Sequence, residues 1–208
     1  MARTKEFDPD EALSRALELF WERGYEATSM ADLVEHLGIA RASIYGTFGG
    51  KHALYLKALE RYLETTDPAV AEALAQPGPV LPTIRTLLAR YAEQSAHDQP
   101  RHGCFVVNAA VELAARDAEA ARLVEASWNF LEASLTSALT RAQAQGELSR
   151  NKDPRALARF LVVFFQGVRV LGRAPADDKR LRDATDQAMA FLDHQFGNDR
   201  SAQRGSGS

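Results

Sequence analysis

The chain has a single cysteine, Cys104, so it cannot close an internal disulfide, and a reducing compartment, the cytoplasm, is expected. No stretch approaches the ~18 uninterrupted apolar residues of a spanning helix, so no membrane partner is expected. The start, MARTKEFDPDEAL, lacks the apolar run that follows the positive residues of a secretory signal. Alternation of apolar and polar residues is scarce, which leaves little room for β-structure. Also missing are HExxH, GxSxG, a glycine-rich phosphate loop and Cys/His spacing suited to zinc. Cys104 and His102 lie too close in sequence to imply a nucleophile and its base. The expectation is therefore a protein that is not an enzyme and has no catalytic residue, no metal and no cofactor. Positive charge is in short supply as well: the net charge is −3, and taken alone this weighs against nucleic acid.

What the chain does have is apolar residues, 46% of its 208, enough for a real core, and they follow the helical period. Asp8 suits a helix N-cap, Pro9 the first turn and Glu11 a capping-box spacing, before the stripe Leu13, Ala16, Leu17 and Phe20 and a stop at Gly24. Thr28 or Ser29 caps a second helix with Met30, Leu33 and Leu37 inward, closed by Gly38. A third, short helix runs from Arg41 to Thr47, with Ile44 and Phe48 as anchors and Gly49-Gly50 as its break. A fourth runs from Lys51 past Leu63, and Pro68, Pro77, Pro79 and Pro82 punctuate the next stretch. Further helices are expected at about 80–96, 103–114, 117–145, 153–172 and 177–195, the long one keeping a stripe of Trp128, Leu131, Leu135, Leu139 and Ala142. The tail from Gly197 is polar and rich in Gly and Ser, and is expected to be disordered.

The 153–172 helix stands apart. Leu157, Phe160, Leu161, Phe164, Val168 and Leu171 form one stripe, while Val162, Val163, Phe165 and Val170 cover much of the rest. A helix apolar nearly all round is buried on several sides. Either it is the central helix of a monomer or its second surface meets another subunit. With the 177–195 helix (Leu181, Ala184, Ala188, Leu192) it would then form an intersubunit four-helix bundle in a homodimer.

The most informative stretch is residues 28–55, TSMADLVEHLGIARASIYGTFGGKHALY: two short helices, a tight glycine turn, then another helix. A helix-turn-helix needs no more than this, and the bare pattern is weak. The local charge agrees with it. Between Ile39 and Arg61 lie Arg41, Lys51, Lys57 and Arg61 against Glu60 alone, a basic edge on an acidic chain. The longer string ALELFWERGYEATSMADLVEHLGIARASIYGTFGGKHALYLKAL resembles the DNA-binding domain of the tetracycline-repressor (TetR) family of bacterial regulators. Its landmarks are Ala16, Leu19, Phe20, Gly24-Tyr25, Thr28, the 31–38 helix, Ile39, Tyr45, Phe48, Lys51 and Leu54. The likeness is close over residues 10–60; the rest matches only as a helical domain of the expected length.

The resemblance implies an all-α fold. A three-helix helix-turn-helix domain (1–50) reads DNA, a larger helical domain (51–196) binds effector and dimerises, and 197–208 is tail. It implies double-stranded DNA with a palindromic operator as partner. It also implies roles position by position. Arg41, Ala42, Ser43 and Tyr45 face the major groove, Arg41 reaching guanine or phosphate and Ser43 a base edge. Tyr45, Thr47, Thr28 and Lys51 hold phosphates, Thr28 and Lys51 at helix N-termini. Against this, Tyr45 is a core candidate and Arg41 and Lys51 are candidates for a solvated face. Ala40 stands where the family often has a capping Ser or Thr, and Gly46 and Thr47 stand where larger residues are common, which shortens the reading surface.

The resemblance further implies a repressor released by an effector of unknown identity. Phe105, Trp128 and Phe165 are candidates to line its site, though each is also an ordinary core residue. Asn108, four before Glu112, needs a polar partner in protein or ligand if buried. Cys104 opens the same helix beside Arg101 and His102, the setting that activates a thiol. Some members of the family with a similar Gly-Cys sense oxidants or electrophiles there; otherwise Cys104 is a small inert hydrophobe. The competing functional reading is a constitutive DNA-binding regulator, or an activator, with no ligand switch.

Overall fold

The computed structural model describes residues 7–97, 102–173 and 178–196, so the tail expected at 197–208 and Arg101 lie outside the described residues. Among those residues the chain forms nine helices and no strand. They are α1 (Pro9–Arg23), α2 (Met30–Leu37), α3 (Arg41–Phe48), α4 (Lys51–Ala75), α5 (Val80–His97), α6 (Phe105–Glu112), α7 (Ala118–Ala144), α8 (Pro154–Arg173) and α9 (Asp178–Phe196). No helix among the described residues is long and apolar enough to cross a membrane. Contacts divide the chain into two compact units. One takes residues up to Thr66 together with Cys104–Ser127, the other Asp67–Gly103 together with the residues from Trp128 on, so the division falls inside α4 and inside α7.

In the first unit α1 starts at Asp8, whose carboxylate accepts the Asp10 N–H at 2.8 Å, with Pro9 in the first turn. The expected box with Glu11 is displaced to the neighbouring amide. The first unit buries Ala16, Leu19 and Phe20 of α1, Leu33 and Leu37 of α2, Ile44 and Phe48 of α3, and Leu54, Tyr55, Ala58 and Leu59 of α4. An edge-to-face aromatic chain runs through this core. Phe20 and Tyr55 lie 5.1 Å apart, Tyr25 and Tyr55 5.0 Å, and Tyr55 and Phe105 of α6 5.2 Å. Such pairs contribute roughly 0.5–1.5 kcal/mol each beyond the area they bury.

Pro68 does not end α4. The helix continues through it to Ala75. A proline there removes the bond to the carbonyl four residues back and crowds that carbonyl with its ring, a local cost that a long helix bears when its flanks pack. Just before it, the Thr65 and Thr66 hydroxyls both donate to the Tyr62 carbonyl, at 2.9 and 2.8 Å.

In the second unit α5 lies against α8 and α9. Its core includes Ile84, Leu88, Tyr91, Leu135, Leu139, Leu161, Phe165 and Leu192. Helix ends are tied by side chains from other helices or loops. The Glu147 carboxylate accepts the Val80 N–H at 2.9 Å, where an anion complements the α5 N-terminus, and Arg141 donates to the Leu74 carbonyl at 2.8 Å near the end of α4. Along α8 the buried set is Leu157, Leu161, Phe165 and Val168. Phe160 and Leu171, expected within the buried stripe, are exposed, together with Val163 and Val170 and with Phe191 of α9. Phe160 and Phe191 stand 4.8 Å apart, so exposed apolar side chains of α8 and α9 meet there.

Candidate nucleic-acid interface

The reading head is built around α2 and α3. Gly38, at the end of α2, has φ 69° and is left-handed, which lets the chain turn sharply toward α3 at no Cβ cost. Arg15 of α1 donates to the Leu37 carbonyl at 3.3 Å and also to the His36 carbonyl, placing a cation on the α2 C-terminus. Ile44 and Phe48 are the buried anchors of α3. Burying each stabilises the helix against the core by roughly 1.5–3 kcal/mol.

With those anchors inward, Arg41, Ala42, Tyr45 and Thr47 are exposed and Ser43 is half-buried. Tyr45 is 50% exposed, so it is not a core residue. Its ring lies against Gly50, where an added Cβ would come within 3.0 Å of Cε1, and the Arg41 guanidinium sits 5.8 Å from its centroid. Lys51, half-buried, holds its ammonium 4.2 Å over the Tyr25 ring. The two expected cations are thus each set beside an aromatic ring rather than freely solvated. Burial, with the Glu26 and Asp117 carboxylates next, raises the Tyr25 phenol above its ordinary value and keeps it neutral under Lys51. Ala40 begins α3 without a side-chain cap, as its residue type implies.

Thr28 is placed differently from expectation. It is fully buried, and its hydroxyl donates to the Gly24 carbonyl at 2.7 Å. Ser29 is the N-cap of α2. Its hydroxyl accepts the Asp32 N–H at 3.1 Å, while the Asp32 carboxylate accepts the Ser29 N–H at 2.7 Å. The Ser29 hydroxyl and then its N–H hold Asp32 below the usual carboxylate range, with Arg23 adding to this at 3.2 Å. The Asp32 carboxylate therefore sits at the α2 N-terminus, while the Thr28 hydroxyl is engaged by the Gly24 carbonyl. The signal was legible as Ser29-x-x-Asp32, a capping-box spacing. A cleft of about 500 Å³ beside the turn carries charges of both signs, Asp8 and Glu11 with Arg15. Arg61 is not a solvated cation either: it pairs with Asp10 and donates to the Ser14 hydroxyl at 2.9 Å.

Sequence reading missed how the reading head is tied to α6 and the α6–α7 corner. Glu112 at the end of α6 accepts the Tyr25 N–H at 2.7 Å, Arg116 pairs with Glu26 at 2.8 Å, and Asp117 pairs with His52. Asp117 also caps α7 through the Ala120 N–H at 2.9 Å; that bond, ahead of His52, lowers its carboxyl. Gly24 fits this contact, because a Cβ there would meet Glu112 Oε1 at 2.3 Å. Nothing in the sequence marks a contact between residues so far apart. Of the expected effector residues, Cys104, Phe105 and Asn108 are buried in the first unit, with the Tyr62 hydroxyl donating to Cys104 Sγ at 3.8 Å. Trp128, half-buried, and Phe165, buried, belong to the second unit. No cluster of metal-ligating side chains occurs among the described residues.

Residues 12–58 match the family model described as bacterial regulatory proteins, tetR family, and residues 80–188 match the tetracyclin repressor-like C-terminal domain. The chain is 40% identical to the uncharacterized HTH-type transcriptional regulator YezE of Bacillus subtilis, over 93% of this chain and 100% of that one. It is 34% identical to the HTH-type transcriptional repressor ComR of Escherichia coli, over 86% of each. Among solved structures it is similar to a cysteine mutant of the TetR family transcriptional regulator CifR complexed with 26-bp double-strand operator DNA. That likeness has a TM-score of 0.79 and 28% identity, over 91% of this chain and 98% of that one. Its relatives are regulators of transcription and not enzymes, and with both halves matched the chain belongs to the TetR family of transcriptional regulators.

Proposed function

We propose that this chain is a cytoplasmic, homodimeric repressor. It reads a palindromic operator with residues 1–50, and an effector engaging residues 51–196, a small molecule or an electrophile or oxidant, releases it from DNA. One observation carries the DNA reading: Ile44 and Phe48 anchor α3 so that Arg41, Ala42, Tyr45 and Thr47 face solvent, with Arg41 held beside Tyr45 and Lys51 over Tyr25. Ser43, half-buried, stands at the edge of that face. The operator-bound CifR and the repressor ComR, both similar over most of their length, support it. The apolar surface of Phe160, Val163, Val170, Leu171 and Phe191 supports dimerisation through α8 and α9, the helices expected at 153–172 and 177–195.

Release is supported by α6. Cys104 stands at its N-cap position without a side-chain cap, Phe105 and Asn108 lie buried along it, and Glu112 at its end holds the Tyr25 N–H. An effector that shifts this helix acts on the reading head through that bond, and it moves the equilibrium only by its differential affinity for the two arrangements. Trp128 and Phe165 are the candidates for effector contacts in the second unit.

The test starts from the operator enriched by the purified protein. Arg41→Ala should weaken binding by ~1–3 kcal/mol if Arg41 reads guanine, and equal loss on unrelated duplexes would make it a phosphate contact. Hydrogen peroxide or a small maleimide should release the wild type and leave Cys104→Ser bound. Equal release of both removes Cys104 from the switch.

A further inference from the structure

The interior glycine of α3, Gly46, has no reason in the fold. It is not among the glycines with positive φ, so an L-residue would take its backbone conformation. A Cβ built on it meets nothing within 4 Å, so no neighbour requires the gap. Glycine inside a helix is otherwise unfavourable relative to alanine. Its direction accounts for it. At about 100° per residue, Gly46 lies on the far side of the helix from the midpoint of Ile44 and Phe48, the two buried anchors. Ala42, one turn earlier, shares that outermost line. Three ridges with i, i+4 spacing run along the helix away from the anchors, with Ser43 half-buried at the edge. Arg41 and Tyr45 form one, Ser43 and Thr47 another, and between them Ala42 and Gly46 form a ridge with nothing longer than a methyl group.

We infer that the Ala42–Gly46 ridge seats the helix backbone against the floor of the major groove and selects thymine there, with Gly46 as a specificity-determining residue. This rests on the DNA reading proposed above. A long side chain on the outermost line would hold the helix axis away from the bases; its absence lets the backbone approach, as glycine permits at close ligand contacts. The surface offered is a methyl and Cα–H groups, with no donor or acceptor. The matching apolar group on a base edge in the major groove is the thymine 5-methyl. The flanking ridges then straddle the contact. Arg41, steadied by Tyr45, reaches one side, and Ser43 and Thr47 reach the other.

The test measures binding of wild type, Gly46→Ala and Gly46→Gln to the enriched operator, to the same operator with deoxyuridine for thymine in both half-sites, and to a scrambled duplex. Gly46→Ala should melt at a higher temperature than wild type, because the helix gains and nothing clashes. It should nevertheless bind the operator about tenfold more weakly, and Gly46→Gln about a hundredfold, within the cost of one or two mismatched pairs. Both should keep wild-type affinity for the scrambled duplex. Deoxyuridine should weaken the wild type about tenfold and Gly46→Gln no further. Wild-type operator affinity in either variant, or indifference of the wild type to deoxyuridine, overturns the inference. A folded wild-type protein that enriches no duplex overturns the DNA reading itself, and the inference with it.

Discussion

Glu112 acts at a single amide, Tyr25 N–H, yet it sets what its neighbours can be. Its carboxylate fills the space a Gly24 side chain would need, and Gly24 has φ 87°, so Gly24→Ala meets both strain and a clash. Gly24→Ala should cost more than ~1 kcal/mol of stability, and Glu112→Ala about 1 kcal/mol for the part-buried hydrogen bond it removes. The double variant should lose less than the sum, and denaturant titration of all three measures the coupling. Additive losses would mean the two residues do not meet. Asp32 and Asp117 contribute to the pH dependence of the same unit. Both carboxyls are lowered, so each supports the fold at neutral pH, and that support is lost as pH falls through the lowered values, below about 4. Acid unfolding followed by circular dichroism should be shallower in Asp32→Asn than in wild type, from a lower starting stability. These residues were only partly legible in the sequence. Ser29-x-x-Asp32 is a local spacing that sequence reading can find, whereas the Glu112 contact joins distant segments and has no sequence signature.

The helices themselves were legible because their boundaries are set locally. Asp8 and Pro9 start α1, Gly24 and Gly38 stop α1 and α2, and each helix expected from the apolar period is present within a few residues. Two adjacent hydroxyl residues, Thr28 and Ser29, compete for the α2 cap in the sequence, and burial of Thr28 leaves it to Ser29. The sequence leaves the end of α4 open past Leu63, because a proline's local cost is visible in sequence while the packing that carries the helix through Pro68 is not. α3 depends most on its anchors, being only eight residues long and lacking an N-terminal side-chain cap. Phe48→Ala should therefore destabilise the protein by about 3–5 kcal/mol, measured by thermal or denaturant unfolding. A cost below ~1 kcal/mol would mean that α3 is not held by this contact. Ala40→Ser should add a cap and about 1 kcal/mol, since Ala40 already has the extended backbone that an N-cap adopts.

The whole molecule is acidic with a small basic edge, and the net charge of −3 alone would have pointed away from DNA. Position outweighs total: Arg41 and Lys51 sit beside the exposed face of α3, while Arg61 and Arg23 are spent on Asp10 and Asp32. A single head offers few phosphate contacts, so the proposed repressor would place two heads about one helical turn, ~34–36 Å, apart. That makes the apolar surface of α8 and α9 part of the DNA-binding account. Phe160→Glu with Val163→Glu should give a folded monomer by light scattering, with operator affinity reduced to that for unrelated duplexes. A variant that stays dimeric would place the interface elsewhere. The most direct test of the central claim is selection of bound duplexes from a random pool by the purified wild-type protein at near-physiological salt. The account predicts enrichment of one palindrome whose half-sites lie about one helical turn apart. No enrichment by folded, dimeric protein would contradict it.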